Sequence, residues 1–413
     1  MEKSDIAFMI LATGMVLLMT PALAFFYGGL VRSKNALNTM MMSFAALGVV
    51  GILWAMGGYS LAFCPGGQFI GGIRNVLLND VDLQPKGAIP HLLFMAYQGT
   101  FAVITAALVS GAIVERMRFS AYAVFIGAWS VLVYAPVAHW VWGGGWLSTM
   151  GALDFAGGTV VHVNAAVAAL VASLVLGARR DHGRKAFLPH SVPLVLLGTG
   201  LLWFGWLGFN GGSALQASNV AALAAVNTIL APMSTALVWM LLDWIRTRRV
   251  TAVGIATGIV VGLVAITPAC GYVGPRSAML IGAIAALPSY YGILWRSRTR
   301  LDDSLDVTPA HGLGGIVGAL LTGVFAREEW GGFNGALNGK PSQLWIQAAG
   351  VGATIVYSGA ASFLLLKAIG LVMPLRPPER EEAVGLDVWE HGEEAYSSGE
   401  GAILVLSDEG GKR

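Results

Sequence analysis

The chain has 413 residues, of which 56% are hydrophobic and only 12% charged, where a soluble domain carries about a quarter charged residues. Its 25 Lys and Arg against 23 Asp and Glu leave a formal net charge of +2. Such a balance excludes a soluble globular domain and a nucleic-acid binder working through bulk positive charge, and it points to a protein whose surface faces lipid.

Apolar runs of roughly 20 residues, the length that crosses a bilayer as helix, recur along the chain. They predict spans at 6–30, 39–61, 92–113, 121–140, 159–177, 193–212, 222–245, 251–268, 277–295, 310–326 and 347–373, eleven in all. The first run contains Ala22-Leu23-Ala24, a small-residue pattern like a signal-cleavage site. The start Met1-Glu2-Lys3-Ser4-Asp5 is not a basic leader and the apolar run continues past the site, so the segment is read as a membrane helix.

Basic residues favour cytoplasmic loops. Loops after odd-numbered helices carry fourteen: Arg32, Lys34, Arg116, Arg118, Arg179, Arg180, Arg184, Lys185, Arg246, Arg248, Arg249, Arg296, Arg298 and Arg300. The other side carries six: Lys3, Arg74, Lys86, Arg276, Arg327 and Lys340. The N-terminus is therefore expected outside and the C-terminus in the cytoplasm of a plasma (inner) membrane protein. The chain divides into a transmembrane domain, 1–373, and a cytoplasmic tail, 374–413, that opens on Arg376-Pro377-Pro378 and turns acidic and Gly-rich. Within the tail, Gly385-Leu386-Asp387-Val388-Trp389-Glu390-His391-Gly392 sets apolar residues among charges, which suggests docking. Cys64 and Cys270 are read as free, buried thiols.

Internal repetition sharpens the picture, because many transporters consist of two inverted halves with the substrate path between them. The predicted fold is an all-α polytopic membrane protein with two inverted five-helix repeats plus one extra helix. His162 and His311 fall in the fifth helix of each half, and each follows an aspartate, Asp154 or Asp303, by eight residues. Phe26-Tyr27-Gly28-Gly29 is echoed by Phe209-Asn210-Gly211-Gly212. A pseudo-two-fold axis in the membrane plane would bring the two histidines together near the midplane. A polar group there is expensive and usually faces a pathway. Two adjacent imidazoles resist charging, since burial and mutual repulsion both oppose it, yet they offer a donor and an acceptor to a small neutral passenger. A zinc or copper site is the competing reading; it lacks a third ligand in either helix, where zinc usually takes at least three from the protein.

A second constellation surrounds the outer ends. Tyr97 and Phe101 share a helix face, Trp140, Trp142 and Trp146 crowd the end of helix 4, and Trp206, Phe209 and Ser213 lie along helix 6. An aromatic belt at the headgroup level accounts for most tryptophans. Ring faces plus a hydroxyl at a mouth also make a site for a small cation that donates hydrogen bonds.

The stretches Phe25-Phe26-Tyr27-Gly28-Gly29-Leu30-Val31-Arg32-Ser33-Lys34-Asn35, Gly111-Ala112-Ile113-Val114-Glu115-Arg116, Asp154-Phe155-Ala156-Gly157-Gly158-Thr159-Val160-Val161-His162, Trp206-Leu207-Gly208-Phe209-Asn210, Asp302-Asp303-Ser304-Leu305-Asp306 and Glu390-His391-Gly392 together resemble the signatures of the ammonium transporter (Amt/Mep/Rh) family, on the Amt side. The resemblance runs from helix 1 to the tail. It implies a homotrimer with one eleven-helix pore per subunit, serving nitrogen uptake. It places an ammonium recruitment site on Phe101, Trp142 and Ser213 with Tyr97 beside them, a phenyl gate on Phe101 and Phe209, twin histidines on His162 and His311 with Trp206 flanking the pore, and a mouth aspartate on Asp154. Thr308-Pro309-Ala310 before His311 departs from the family's usual aromatic and branched aliphatic residues; proline near a helix start is tolerated.

The implied mechanism is that ammonium collects at the outer aromatics, loses a proton, passes the gate and histidines as ammonia, and is reprotonated inside, with the twin histidines as a relay should the proton also cross. Asp154 is read as structural and electrostatic, capping the start of helix 5, and Asp303 as its inner counterpart. Glycines at 254, 258, 262, 314 and 318 are assigned to close helix packing. No cofactor is expected and no enzyme activity. An ammonium sensor signalling through the tail, or an Rh-like neutral gas channel, are the alternatives. The resemblance also implies a PII-type (GlnK-like) regulatory partner at the cytoplasmic face.

Overall fold

A computed structural model describes residues 1–396; the remainder of the expected tail, 397–413, lies outside the described residues. Among the described residues ten helices are long and apolar enough to cross a membrane: α1 (Lys3–Leu30), α2 (Ser33–Phe63), α3 (His91–Ile113), α4 (Phe119–Met150), α5 (Gly158–Leu176), α6 (Val192–Gly212), α7 (Asn219–Thr247), α9 (Pro275–Arg296), α10 (Thr308–Phe325) and α11 (Ser342–Val372). A shorter apolar helix, α8 (Ala252–Ile266), completes the eleven crossings. The N-terminus and the tail therefore lie at opposite faces. A small antiparallel hairpin, β1 (Pro85–Lys86) with β2 (Ile89–Pro90), sits before α3 on the face opposite the tail.

Most boundaries fall within three residues of those expected. The larger differences are at α2, which starts six residues early, at α11, five residues early, and at α4, where helix resumes over Trp146–Met150 after a break. Gly151, in the left-handed conformation at φ 83°, ends it. Ser218 and Thr251 cap α7 and α8 by accepting from Ala221 N–H and Gly254 N–H, the satisfaction a helix start requires.

The surface is inverted relative to a soluble protein. Leu371 is 90% exposed and Trp345 76%, offering apolar contact to lipid, while Asn210, Asn227 and Gln347 are buried. Each buried amide works as a tie, as a bilayer demands of polar groups. Gln347 on α11 accepts from Leu153 N–H at 2.7 Å and donates to Leu153 C=O at 2.6 Å and Ala319 C=O at 3.1 Å, holding the segment before α5 against α10. Helices approach closely where side chains vanish: a Cβ on Gly318 would lie 2.2 Å from Ala265 O, and one on Gly262 2.4 Å from Thr235 Oγ1. Cys64 and Cys270 are free and buried.

At the tail face an ionic network ties four inter-helix loops together. Glu115, its side chain fully buried, accepts from Arg32 (3.0 Å), Arg179 (2.7 Å) and Asn35 (3.1 Å). Arg179 in turn pairs with Asp302 at 2.8 Å, and Arg116 donates to Ser304 Oγ at 2.6 Å and to the Asp302 carbonyl. Burial opposes the Glu115 charge, but Arg179 and Arg32 outweigh it and hold the carboxyl below its ordinary value. The Asp302 carboxyl likewise loses to burial but gains more from Arg179 and Arg116, and stands well below the usual carboxylate range.

The described part of the tail docks on this platform. Asp387 accepts from Leu37 N–H (3.0 Å) and Asn38 N–H (2.7 Å) in the first turns of α2, where the helix dipole also favours a negative charge. Leu386 N–H donates to Asn35 Oδ1, and the His391 ring lies edge-on to Phe119 at 4.8 Å. Gly385 has φ 123° and passes so close that a Cβ would meet Lys34 O at 2.6 Å.

Removing one partner from a buried ionic network costs about 3–5 kcal/mol, since the others keep their desolvation penalty. Glu115→Ala should therefore lose about that much stability in denaturant titration of the detergent-solubilised protein. An unchanged midpoint would mean that the arginines find water instead.

Candidate transport pathway

The pathway is built on two matched helix starts. Helices that begin inside protein leave their first N–H groups without intrahelical partners. Asp154 supplies them at α5: its carboxylate accepts from Gly157, Gly158, Thr159 and Val160 N–H at 2.6–3.1 Å. Burial pushes this carboxyl up, and the four N–H donors work against that rise. Asp303 does the same at α10 with Val307 N–H (3.0 Å) and Thr308 N–H (2.6 Å). Beyond each cap the backbone runs as a wide π turn, Gly158–Val163 and Thr308–Leu313, before tightening to α-helix. Such turns re-aim the side chains they carry. Gly157, at φ 115°, makes the sharp entry that α5 needs. Pro309 sits in the first turn of α10, where its missing N–H is not needed.

Each wide turn carries one histidine, and the two meet. His162 Nδ1 and His311 Nδ1 are 3.3 Å apart with rings tilted by 31°. One ring therefore donates and the other accepts. Because a neutral imidazole carries one N–H, the donating ring has a bare Nε2 and the accepting ring an Nε2–H. His162 Nε2 is buried without a protein partner. The His162 ring stacks on Trp206 at 5.4 Å, and Trp206 is fixed by its own N–H donating to Thr267 Oγ1 at 2.9 Å.

Around the pair runs a narrow lumen lined by Met19, Leu23, Ile104, Leu108, Leu202 and Phe209, among others, with about 10 Å³ of room. That is about what one water-sized molecule needs for its centre. One end is closed by Phe101 and Phe209, stacked at 4.0 Å and 19°. Beyond the stack lies a vestibule of about 270 Å³ on the face opposite the tail, bordered by Phe101, Trp142, Phe155 and Ser213. Trp142 stands edge-on to Phe101 at 6.0 Å and is held by donating to Asp154 C=O at 2.8 Å. Ser213 Oγ donates to Phe209 C=O at 2.8 Å, which spends its proton and leaves its lone pairs to accept. At the other end His311 and Phe26 border a vestibule of about 440 Å³ with Arg179, His182, Lys185, Arg296 and Asp306.

Of the residues singled out from the sequence, Phe101, Trp142 and Ser213 border the first vestibule and His162, Trp206, Phe209 and His311 the lumen, while Asp154 and Asp303 cap the two helices. Tyr97 stands one layer back: fully buried, it donates toward Gly208 C=O (3.0 Å) and Phe209 C=O (2.9 Å) and lies 3.4 Å from Ser213 Oγ, so it braces the phenyl stack and the serine from behind. Thr267 and Phe26 were not singled out as pathway residues. Thr267 looks like any helix-end threonine, while Phe26, quoted in the Phe-Tyr-Gly-Gly echo, carried a signal. Among the described residues no group of three or more His, Cys, Asp and Glu side chains is placed to hold a metal.

A helical bundle that encloses a one-molecule lumen between two vestibules defines a membrane transport protein for a small solute. The model of the Ammonium Transporter Family matches residues 7–396. The ammonium transporter of Bacillus subtilis (strain 168) is 45% identical over 402 residues, covering 96% of this chain and 99% of that one, and that of Aquifex aeolicus (strain VF5) is 49% identical over 404 residues, covering 96% and 94%. The crystal structure of Candida albicans Mep2 superposes with a TM-score of 0.88 at 39% identity, covering 92% of this chain and 88% of that one. A sensor Amt protein matches with a TM-score of 0.88 at 31% identity, covering 94% and 98%. The chain belongs to the ammonium transporter family.

Asp154→Ala removes the acceptor of four buried N–H groups and is expected to unwind the α5 entry. Hydrogen exchange at residues 157–160 should rise by at least tenfold while that of α7 stays unchanged; retained protection would show that the glycine turn holds itself.

Proposed function

We propose that the chain is an ammonium transporter of the plasma (inner) membrane that conducts ammonia after removing a proton from ammonium at the outer vestibule. What carries this reading is the order of parts along one line: aromatic faces with a lone-pair hydroxyl, a closed phenyl stack, then a lumen whose polar atoms belong to two mutually bonded imidazoles. Phe101 and Trp142 attract a cation through their ring faces, and Ser213 accepts one of its hydrogens, with Tyr97 bracing the serine. A bare cation loses its hydration beyond the stack, in a narrow apolar lumen without a counter-charge. Ammonia loses little there and exchanges hydrogen bonds with Nε2 of His162 and the lumen atoms of His311, past Trp206. Potassium has no proton to surrender and stays behind. The hydrogen-bonded imidazoles also form a route by which the removed proton follows, which would make transport electrogenic. Asp154 and Asp303 position the two histidines, and Asp154 adds negative charge near the outer mouth.

The same reading puts the N-terminus outside and the tail in the cytoplasm, since loops at the tail face hold most of the basic residues. It divides the chain into a transporter domain, 1–373, and a regulatory tail, 374–413. It includes a homotrimer and a PII-type (GlnK-like) protein engaging the cytoplasmic face, where the docked Asp387 and His391 lie beside the loops. The likeness to a sensor Amt protein favours one second reading, an ammonium sensor whose tail undocks as its output.

Purified protein in liposomes on a solid-supported membrane separates these. Ammonium pulses should give a saturable current with no response to potassium. His162→Ala/His311→Ala should cut that current at least tenfold or replace it with potassium current. Silence in wild type with alkalinisation of the lumen would mean neutral ammonia conduction; silence in both readouts would favour the sensor. Deleting residues 380–413 should change the transport rate or its control by a PII protein, and an unaltered rate under both conditions would remove the tail from regulation.

A further inference from the structure

A second cation cage lies beside the outer vestibule, and the chain fills it with its own amine. The β1–β2 hairpin presents Lys86 so that its ammonium lies 4.8 Å from the centre of the Phe94 ring, 5.2 Å from Tyr59 and 5.7 Å from Phe63. The same nitrogen donates to Tyr59 Oη at 3.0 Å and to Phe63 C=O at 3.3 Å. Ring faces plus oxygen acceptors are the chemistry by which ammonium itself would be held. Phe63 and Phe94, edge to face at 5.0 Å, also border the vestibule that contains Phe101, Trp142 and Ser213. Cage and vestibule therefore share two walls.

Nothing neutralises this charge at close range. Among the described residues no carboxylate lies within ion-pair distance of Lys86, in contrast to the paired arginines of the tail face. The titratable and charged groups around it are Tyr59 and Cys64 at the end of α2, His91 at the start of α3 with Nε2 2.5 Å from Tyr59 Oη, and Asp80 and Asp82 in the loop near His91. Burial pushes the Lys86 ammonium down to about 8, so its proton is lost within a range that physiological experiments reach.

We propose that Lys86 sets the apparent affinity of the outer vestibule: it occupies an ammonium-type cage as a tethered competitor, and its positive charge weakens the capture of free ammonium behind the shared phenyl walls. This rests on the reading of the vestibule as the recruitment site. The geometry explains why a lysine is held against three aromatic rings by a hairpin in a position where no ion pair needs it. It also keeps substrate cations from lodging in a dead-end cage off the conduction line.

The test compares wild type, Lys86→Gln, Lys86→Met and Ser213→Ala in liposomes by solid-supported membrane current, with concentrations counted as ammonium ion. At pH 6.5 both Lys86 variants should lower the half-saturating concentration by roughly three- to tenfold, the size expected for one unit charge nearby in a partly screened site. Lys86 is charged below its pKa and neutral above it. The difference from wild type should accordingly be full at pH 6.5 and shrink as pH rises through about 8, where the wild-type lysine itself loses its charge. Equal half-saturation at pH 6.5, or a difference that persists unchanged at high pH, would overturn the proposal, the latter because a packing defect does not titrate. Ser213→Ala keeps the two layers apart. If it raises half-saturation while the Lys86 variants match wild type, only the role of Lys86 fails; if it has no effect, the recruitment reading beneath it fails.

Discussion

The buried starts of α5 and α10 are the constraint on which the pathway depends. Backbone N–H groups set inside a membrane protein have no water to turn to, and each helix solves this with one carboxylate. Asp154 gathers four N–H groups and Asp303 two. Once the first turn is fixed, the wide turn after it has one register, and a histidine eight residues beyond the carboxylate has one place to go. Moving either cap would separate Nδ1 atoms that now lie 3.3 Å apart, with Trp206 unstacked from His162 as a consequence. The vestibules, the gate and the lumen are arranged around a point that two aspartates define.

Charge is then distributed by burial rather than by number. At the tail face, the buried Glu115 and Asp302 carboxylates pair with the Arg32 and Arg179 guanidinium groups, and these pairs bind loops. Along the lumen two imidazoles, neutral when mutually bonded, stand among apolar walls that include Trp206 and Phe209, with no carboxylate or guanidinium group among its lining residues. A fully buried unpaired ion costs several kcal/mol even after relaxation, so on the proposed reading the lumen discriminates by what it lacks. On the proposed reading, selectivity against an alkali ion needs no size filter, because the discriminating property is the possession of a proton that can be left behind.

Much of this was legible in the amino-acid sequence, for identifiable reasons. Apolar runs separated by basic loops locate the helices, because a bilayer imposes length and composition on each span. The pair Asp154/His162 and Asp303/His311 stands out because the same spacing occurs twice in equivalent helices. The wide turns were not visible, since a π turn has the same composition as an α turn. Nor was the Glu115, Arg179 and Asp302 network, whose partners lie 64 and 123 residues apart in the chain; the motifs containing Glu115 and Asp302 were recognisable, their mutual contact was not. The resemblance places Tyr97 beside the recruitment residues; its hydroxyl, within reach of two backbone carbonyls, turns to them, a choice that the sequence does not display. The docking of the tail was signalled by Leu386 and Trp389 among charges, though Leu386 alone is buried and Trp389 remains 53% exposed.

The phenyl stack has a kinetic meaning. Two rings 4.0 Å apart are in van der Waals contact, and nothing passes between them while they stay so. On the proposed reading, passage requires the rings to part, and the lumen behind them has room for about one small molecule. Flux is thus counted in ring-opening events. Side-chain rotations in a packed interior are slower than the picosecond hops of exposed groups, and on that reading a pathway clocked by them would behave as a turnover device with a ceiling, its rate at high substrate reporting the motion of Phe101 and Phe209 rather than the supply of ammonium.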